Sequence, residues 1–382
     1  MRFPRTTTTA LALAAAWLGL PAAAQAQEPE QLDFFGDFRL RAESSHKLQT
    51  TQDRYRGRLR LRFGADYQAT EHLKVGFRAR TGNPDDPNSP HQDLGGTGGG
   101  AFNSFEFNLD RAFVRYDPDW AEGFSFTGGK FARPGFRNPV YGELVWDDDV
   151  QPEGVAFTYA CDGEGSMSWD AYLGQYILLE QSGAAMAEDA WMLNAGAHAR
   201  MESGSDSRFD AALNYYFYGD TTPDGNTTIL TGDNAGNALA PGGKQFASEF
   251  GILEPVVAWT YLGMDQPLTL SGEFLLNTRA ASGVGDQGWA IGAAWGQTKA
   301  QGDSKFYYQY STVEQDAVFS AFAQDDHLLA TNHDSHVVGW KHQLAENVGL
   351  HIWGLISAPN EVPAGANDDN RYRFRIDLNV SF

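Results

Sequence analysis

The chain has 382 residues, of which 49 are acidic and 28 are basic, so its formal net charge is −21, and it contains one cysteine. An acidic excess of this size argues against nucleic acid as a partner, because binding to a phosphate backbone requires a basic face. No segment supplies the roughly 20 consecutive apolar residues of a transmembrane helix.

The first 26 residues predict a secretory signal peptide. Two arginines precede a short apolar run at 10–20, and the small-x-small sequence Ala-Gln-Ala follows at 24–26. A basic start, a short apolar middle and a small-residue cleavage site are typical of export. We therefore expect a folded protein of residues 27–382. Because no proline-rich or serine-rich linker divides this region, we expect one continuous architecture.

Sixteen segments after the signal peptide alternate between apolar and polar residues. In the last one, every even position from Tyr372 to Phe382 is apolar and every odd position is polar. Such alternation places the two classes on opposite faces of a β-strand. The segments lie at about 32–43, 54–67, 72–82, 109–116, 123–130, 153–160, 167–177, 191–201, 207–218, 249–262, 267–277, 288–297, 303–313, 333–344, 348–357 and 371–382.

The connections between these segments alternate in length. The long ones follow odd-numbered segments, at 44–53, 83–108, 131–152, 178–190, 219–248, 278–287, 314–332 and 358–370. The short ones follow even-numbered segments, and aromatic residues cluster at segment ends. Long loops at one end, tight turns at the other and two aromatic girdles are the layout of an outer-membrane barrel. The predicted fold is therefore all-β, a transmembrane antiparallel barrel of about 16 strands, in preference to a soluble β protein with an aromatic core.

Parity directs most arginines of the chain into the lumen of this barrel. They lie on the first four segments and the last, which would be neighbours because the last strand of a closed barrel pairs with the first. We call this predicted pore-lining set the arginine wall: Arg39, Arg41, Arg54, Arg56, Arg58, Arg60, Arg62, Arg78, Arg80, Arg111, Arg115, Arg371, Arg373 and Arg375.

The arginine wall has two compatible interpretations. Like charges on one strand face repel unless water, counter-ions or carboxylates screen them. A wall of free cations would lower the barrier for anions and orient dipolar solutes. Alternatively, the arginines stiffen the barrel by pairing with Asp33, Asp37, Asp66 and Asp110.

The third long connection, 131–152, carries a group of acidic residues: Glu143, Asp147, Asp148 and Asp149. If the loop folds inward, these carboxylates would face the arginine wall across a constriction. A solvated loop and a calcium site with oxygen ligands are the second and third interpretations.

Enzyme and metal motifs are weak or absent. The chain has no Gly-x-Ser-x-Gly and no His-Glu-x-x-His sequence. His333 and His336 have a spacing compatible with a metal, near Asp325, Asp326 and His327, but a solvated loop edge is the preferred interpretation. We predict no catalytic residue, cofactor or metal, and keep a barrel hydrolase as a minor alternative.

Four local runs resemble sequences of the Gram-negative outer-membrane family known as putative porins. They are Arg54–Arg62, Leu109–Tyr116, Gly128–Ala132 and Leu144–Gly154, and the aromatic Phe382 resembles the end signal of such barrels. The resemblance implies a passive diffusion channel in the outer membrane and leaves the solute open, whereas the arginine wall favours small hydrophilic solutes that are anionic or dipolar. It also implies contact with lipid and lipopolysaccharide, and insertion by the barrel assembly machinery through Phe382.

By analogy with other sixteen-stranded porins, the resemblance implies a homotrimer and a third long loop folded into the lumen. Here that loop is 131–152, by position and not by motif. A structural or surface-interaction barrel, whose loops bind partners, is the alternative function. About sixteen strands favour the channel, since barrels of that size leave an aqueous lumen.

Overall fold

The computed structural model describes residues 32–47, 52–96, 102–163, 165–180, 189–221, 234–327, 329–362 and 367–382. The predicted signal peptide, residues 1–26, lies outside the described residues. Within them, no helix is long and apolar enough to cross a membrane.

Seventeen strands occur in the part of the chain that the structure describes. In chain order they are β1 (Leu32–His46), β2 (Arg54–Thr70), β3 (Leu73–Thr81), β4 (Gln92–Asp93), β5 (Phe107–Tyr116), β6 (Phe124–Lys130), β7 (Glu153–Cys161), β8 (Met167–Leu179), β9 (Ala190–Ser203), β10 (Ser207–Gly219), β11 (Gly251–Tyr261), β12 (Leu268–Asn277), β13 (Gln287–Gly296), β14 (Ser304–Val313), β15 (His333–Ala345), β16 (Val348–Pro359) and β17 (Arg371–Ser381).

Sixteen of these strands form one closed antiparallel barrel. Each strand pairs with its neighbours in sequence, and β1 closes the ring by pairing with both β2 and β17. The two-residue strand β4 adds to β2, where Arg58 pairs with Asp93. The sixteen long strands coincide with the sixteen alternating segments, so the predicted fold class is confirmed.

The alternation divides the side chains between lipid and lumen. On β17, Phe374, Ile376 and Leu378 are exposed on the outside of the barrel, whereas Arg375 and Asp377 are buried inside it. The same division holds around the ring, which gives the barrel an apolar outer surface. A closed ring of this kind leaves no unpaired strand edge facing lipid.

Among the register shifts of the described strands, the one between β3 and β5 changes which side chains face the lumen. The pairing of β3 with β5 shifts between Arg78 and Ala79. As a result, two consecutive residues of β5, Asp110 and Arg111, both face the lumen. Asp110 is buried against Arg78, and Arg111 lines the central cavity. A bulge inserts one extra residue and re-aims the side chains around it.

Two long loops fill one side of the lumen with an apolar core. Leu144, Val145 and Trp146 of the segment 131–152 are buried with Val318 and Phe319 of the segment 314–332. This cluster packs on inward-facing side chains of strands from β8 to β14, among them Tyr176, Tyr216, Ile252 and Leu275. The central open space lies away from this cluster, between the loops, the arginine wall and β14 to β16.

Candidate pore constriction

The segment 131–152 lies inside the barrel, because it contacts inward-facing side chains of strands all around the ring. The Arg62 guanidinium on β2 donates to Asp149 at 3.0 Å, and Arg111 on β5 donates to Gln151 at 2.8 Å. On the opposite side, Asn138 donates to Glu273 of β12 at 3.1 Å. The loop therefore spans the lumen from wall to wall.

The segment 314–332 also enters the lumen, which the sequence analysis did not anticipate. Its backbone bonds directly to the first loop: the Asp147 amide donates to the Phe322 carbonyl at 2.8 Å, and the Gln324 amide donates to the Glu143 carbonyl at 3.2 Å. Asp326 accepts a hydrogen bond from the Tyr141 hydroxyl at 2.6 Å. The lumen thus holds two loops that are joined to each other.

The interpretation of a solvated loop edge was wrong for two histidines of this region, because His327 and His333 are both buried. Asp326 forms an ion pair with Arg375, and the buried His327 ring stacks on the buried His333 ring at 4.2 Å. His333 faces the lumen whereas His336 lies on the outer face beside Tyr310. Residues three apart on a strand point to opposite faces, so this pair cannot share a metal.

A central cavity of about 600 Å³ lies between the arginine wall and the two loops, which touch at the Arg62–Asp149 and Arg375–Asp326 pairs. Among the described residues, its lining includes eleven arginine or lysine side chains and seven aspartate or glutamate side chains. The cationic residues are Arg39, Arg41, Arg60, Arg62, Arg78, Arg111, Arg133, Arg137, Lys305, Lys341 and Arg375. The acidic ones are Glu143, Asp147, Asp148, Asp149, Asp325, Asp326 and Asp377.

Seven of the fourteen residues of the arginine wall therefore line this cavity, and seven do not. Arg56 and Arg58 lie beside it, held by Glu43 and Asp93. Arg373 lines a separate cavity at the long-loop end, where it donates to the carbonyls of the Asp325–Asp326 pair. The remaining four, Arg54, Arg80, Arg115 and Arg371, are outside the central cavity.

Paired carboxylates hold much of the arginine wall in place. Glu43 is buried, accepts a hydrogen bond from Arg375 at 2.7 Å and forms an ion pair with Arg56, and Arg41 and Arg58 are within 4.0 Å. Asp377 accepts two hydrogen bonds from Arg41, at 2.8 and 2.9 Å. Two-point contacts of this kind fix a guanidinium in one orientation.

Four aspartates were predicted from sequence to pair with the arginine wall. Asp37 and Asp110 do so, whereas Asp33 and Asp66 form no ion pair with these arginines among the described residues. Asp37 binds Arg60 and Arg62, each at 2.6 Å, and Asp110 binds Arg78 at 2.6 Å. Asp66 instead lies 3.5 Å from Lys74. Carboxylates therefore brace the wall, and the eleven cations of the cavity still outnumber its seven lining acids taken together with Asp37, Glu43 and Asp110.

Burial in the loops changes the ionisation of the acids that face the wall. Burial, with the charges of Asp326 and Asp149, raises the pKa of Glu143 to about 8. Burial and the neighbouring Glu143 also raise the pKa of Asp147. Although burial alone would raise it, the Arg375 charge holds the pKa of Asp326 well below its usual value. Near neutral pH the cavity therefore carries less negative charge than its seven carboxyl groups suggest.

The sequence analysis did not include Lys305 and Lys341 among the pore-lining residues, although the alternation predicts that both face the lumen. Both occupy odd positions of segments whose even positions are outward and apolar, such as Phe306 and Val338. The segment 314–332 also gave a signal, because its run Ala317–Ala323 is apolar except for one serine. A run of that composition in a long loop requires a buried contact.

The family profile described as Putative porin matches residues 23–240, which is more than half of the chain. The chain belongs to the Putative porin family. No curated protein shows significant similarity to its sequence.

Solved structures of outer-membrane barrels share the fold of this family member. Pseudomonas putida OprB, solved at high pH, is 13% identical with a TM-score of 0.58, covering 92% of this chain and 94% of that one. An anion-selective porin from Comamonas acidovorans is 13% identical, with a TM-score of 0.52 and coverages of 92% and 99%. Vibrio cholerae OmpT in its trimer form is 12% identical, with a TM-score of 0.50 and the same coverages. Family and fold together identify an outer-membrane porin.

Proposed function

We propose that this porin is a passive diffusion channel that prefers small anionic or dipolar solutes. The observation that carries the proposal is the charge of the central cavity, where eleven cationic side chains face seven acidic ones. Permeating ions respond to charges within about one Debye length, ~8 Å at physiological salt. The local excess of cations therefore outweighs the net charge of −21 of the whole chain.

The two inward loops narrow the channel and give its field a direction. Seven of the eleven cations project from β1, β2, β3, β5 and β17, and six of the seven carboxylates belong to the two loops, which also contribute Arg133 and Arg137. A solute that carries both charges, or a large dipole, would align across the constriction. Residues 131–152 and 314–332 together set the width through which it must pass.

The route through the barrel continues from the central cavity toward both ends. Arg39, Arg60, Arg62, Lys341 and His351 also line a second cavity, which reaches the short turns at Thr298 and Asn347. Asn88 and Asp325 also line the cavity at the long-loop end. These shared linings support a continuous path past the constriction.

The assembly around the channel belongs to the same proposal. We expect export directed by the signal peptide 1–26 and insertion by the barrel assembly machinery. The apolar outer surface suits contact with lipid and lipopolysaccharide. A homotrimer is the proposed oligomer; OmpT, one of the structural neighbours, is described in a trimer form. No nucleic acid, cofactor or catalytic residue enters the proposal.

Solute flux into liposomes that contain the purified porin tests the proposal. We expect swelling to be faster with a small carboxylate salt than with an ammonium salt of similar size. Arg115→Gln is the matched control, since Arg115 lies outside the central cavity and is paired with Asp117 at 2.9 Å. Liposomes that do not swell with any solute would instead favour a surface-interaction barrel.

A further inference from the structure

Two lysines face each other directly across neighbouring strands in the lumen. Lys305 on β14 and Lys341 on β15 are cross-strand partners in the barrel register. Like charges in this arrangement destabilise a sheet unless something neutralises them. The position therefore carries an electrostatic cost that needs an explanation.

Protein carboxylates do not neutralise this pair. Among the described residues, neither lysine has an acidic group within ion-pair distance, whereas Lys74 and Lys130 each have one. Lys305 donates only to the Pro139 carbonyl, at 3.3 Å, and Lys341 is exposed to the lumen. The nearby Asp377 is already bound by Arg41.

Side-chain contacts hold the wall beside the two lysines in a defined arrangement. The Tyr307 ring lies flat across Gly339, where an added Cβ would come within 2.1 Å of the ring. The Tyr307 hydroxyl is hydrogen-bonded to His351 at 2.8 Å, and Tyr141 of the loop stacks on the ring at 6.0 Å. The Lys341 ammonium lies 5.8 Å from the centre of the same ring.

The pair also stands on the permeation route. Lys341 and Arg39 line both the central cavity and the cavity at the short-turn end, and Lys305 lines the first of these. Arg39 makes one hydrogen bond through its Nε atom, to Asn379 at 2.7 Å, and the same atom lies 3.8 Å from Asp377. A solute leaving the constriction therefore passes three cations in close succession.

We propose that Lys305 and Lys341, with Arg39, form a binding subsite for a small oxyanion, the carboxylate or phosphate group of a permeating solute. Three donors around a water-filled pocket suit an anionic group with several acceptor oxygens. Binding here neutralises the opposed lysines and holds the solute just beyond the constriction. The inference rests on the proposed function and deepens it, since a preference for anions alone needs no saturable site.

Channel block in a planar bilayer tests the subsite. Chloride current through the porin is measured while acetate or inorganic phosphate is added, with glucose as the uncharged probe. We expect saturable block by at least one of the two anions and none by glucose. Comparison of acetate with phosphate then shows whether the subsite binds a carboxylate or a phosphate group. Current that falls with neither anion would overturn the proposal.

Matched lysine variants make the test specific. Lys305→Gln and Lys341→Gln should each raise the concentration for half-maximal block by about tenfold or more. Lys74→Gln, which removes a lysine paired with Asp66 outside the cavity, should leave it unchanged. Unchanged block in both subsite variants would refute the assignment. The zero-current potential, measured separately, tests the proposed anion preference. Failure of the subsite can therefore be distinguished from failure of the proposed function.

Discussion

Arg62 of β2 donates a hydrogen bond to Asp149 of the inward loop, with a nitrogen-to-oxygen distance of 3.0 Å, while its Nε atom binds Asp37 at 2.6 Å. One guanidinium thus joins the barrel wall to the tip of the constriction. Because wall and loop are joined by opposite charges, the distance between them is set by the same residues that set the electric field in the cavity.

Asp149→Asn should loosen the attachment of the loop and remove one negative charge from the constriction. We expect a stronger anion preference together with larger fluctuations of the open-channel current, because the remaining neutral hydrogen bond is weaker than the charge-assisted one. Single-channel recording checks both effects. Asp119→Asn, at an exposed position far from the lumen, is the control. A quiet channel with unchanged selectivity would show that the pair does not hold the loop.

Selectivity should depend on pH through the loop acids. The pKa of Glu143 is raised to about 8 and that of Asp325 to about 6, mainly by burial. Each group is neutral below its pKa and negative above it, so anion preference should be strongest in acid and fall as the pH rises through both values. The zero-current potential from about pH 5 to about pH 9 follows this change.

Glu143→Gln removes the step that Glu143 contributes and, with it, the charge that helps to raise the pKa of Asp147. The variant should lose the part of the selectivity change centred near pH 8 and keep the part at lower pH. A wild-type profile that is flat across the range would mean that these carboxyl groups do not face the permeation path.

Glu43→Gln should destabilise the barrel strongly. Glu43 is buried among four arginines, and removing its charge leaves Arg56 with Asp93 and Arg375 with Asp326 as their remaining carboxylates. Breaking a buried pair typically costs about 3–5 kcal/mol. The free energy of unfolding, from urea titration of the heat-modifiable folded form, measures the loss. Glu153→Gln removes an equivalent charge from an exposed pair with Lys130 and should cost about 0–1 kcal/mol.

Deletion of Phe382 should reduce assembly of the barrel. Phe382 and Gly36 exchange backbone hydrogen bonds of 2.8 and 3.1 Å, and the ring lies over Gly36, where a Cβ would come within 2.5 Å of it. The residue thus extends the pairing that closes β17 against β1. We expect less heat-modifiable porin in the outer membrane than with Ser381→Ala. Equal amounts of folded protein at low expression would contradict the proposed role.

The strands could be predicted from sequence because lipid and lumen impose a strict period of two residues on every strand. The departure at Asp110 and Arg111 could not, since a bulge depends on the partner strand and leaves no local pattern. The alternation predicted that the arginines face the lumen, but it could not predict which of them line the central cavity. That Arg56 and Arg58 are held by Glu43 and Asp93 follows from cross-strand register, which alternation alone does not give.

The second inward loop was the largest omission. Acidic residues such as Asp326 are usually solvated, but here Asp326 is paired with Arg375 of β17. The contact joins positions 49 residues apart in the chain, Asp326 and Arg375. Only the closed barrel brings them together.

The zero-current potential of the porin in a salt gradient tests the central claim most directly. Wild type should give the sign of an anion-preferring channel, more strongly at low salt, because the cavity charge is then less screened. The double variant Arg39→Gln and Arg62→Gln should shift the potential toward cations, whereas Arg115→Gln should leave it in place. A cation-preferring wild type whose potential is unchanged in the double variant would contradict the account.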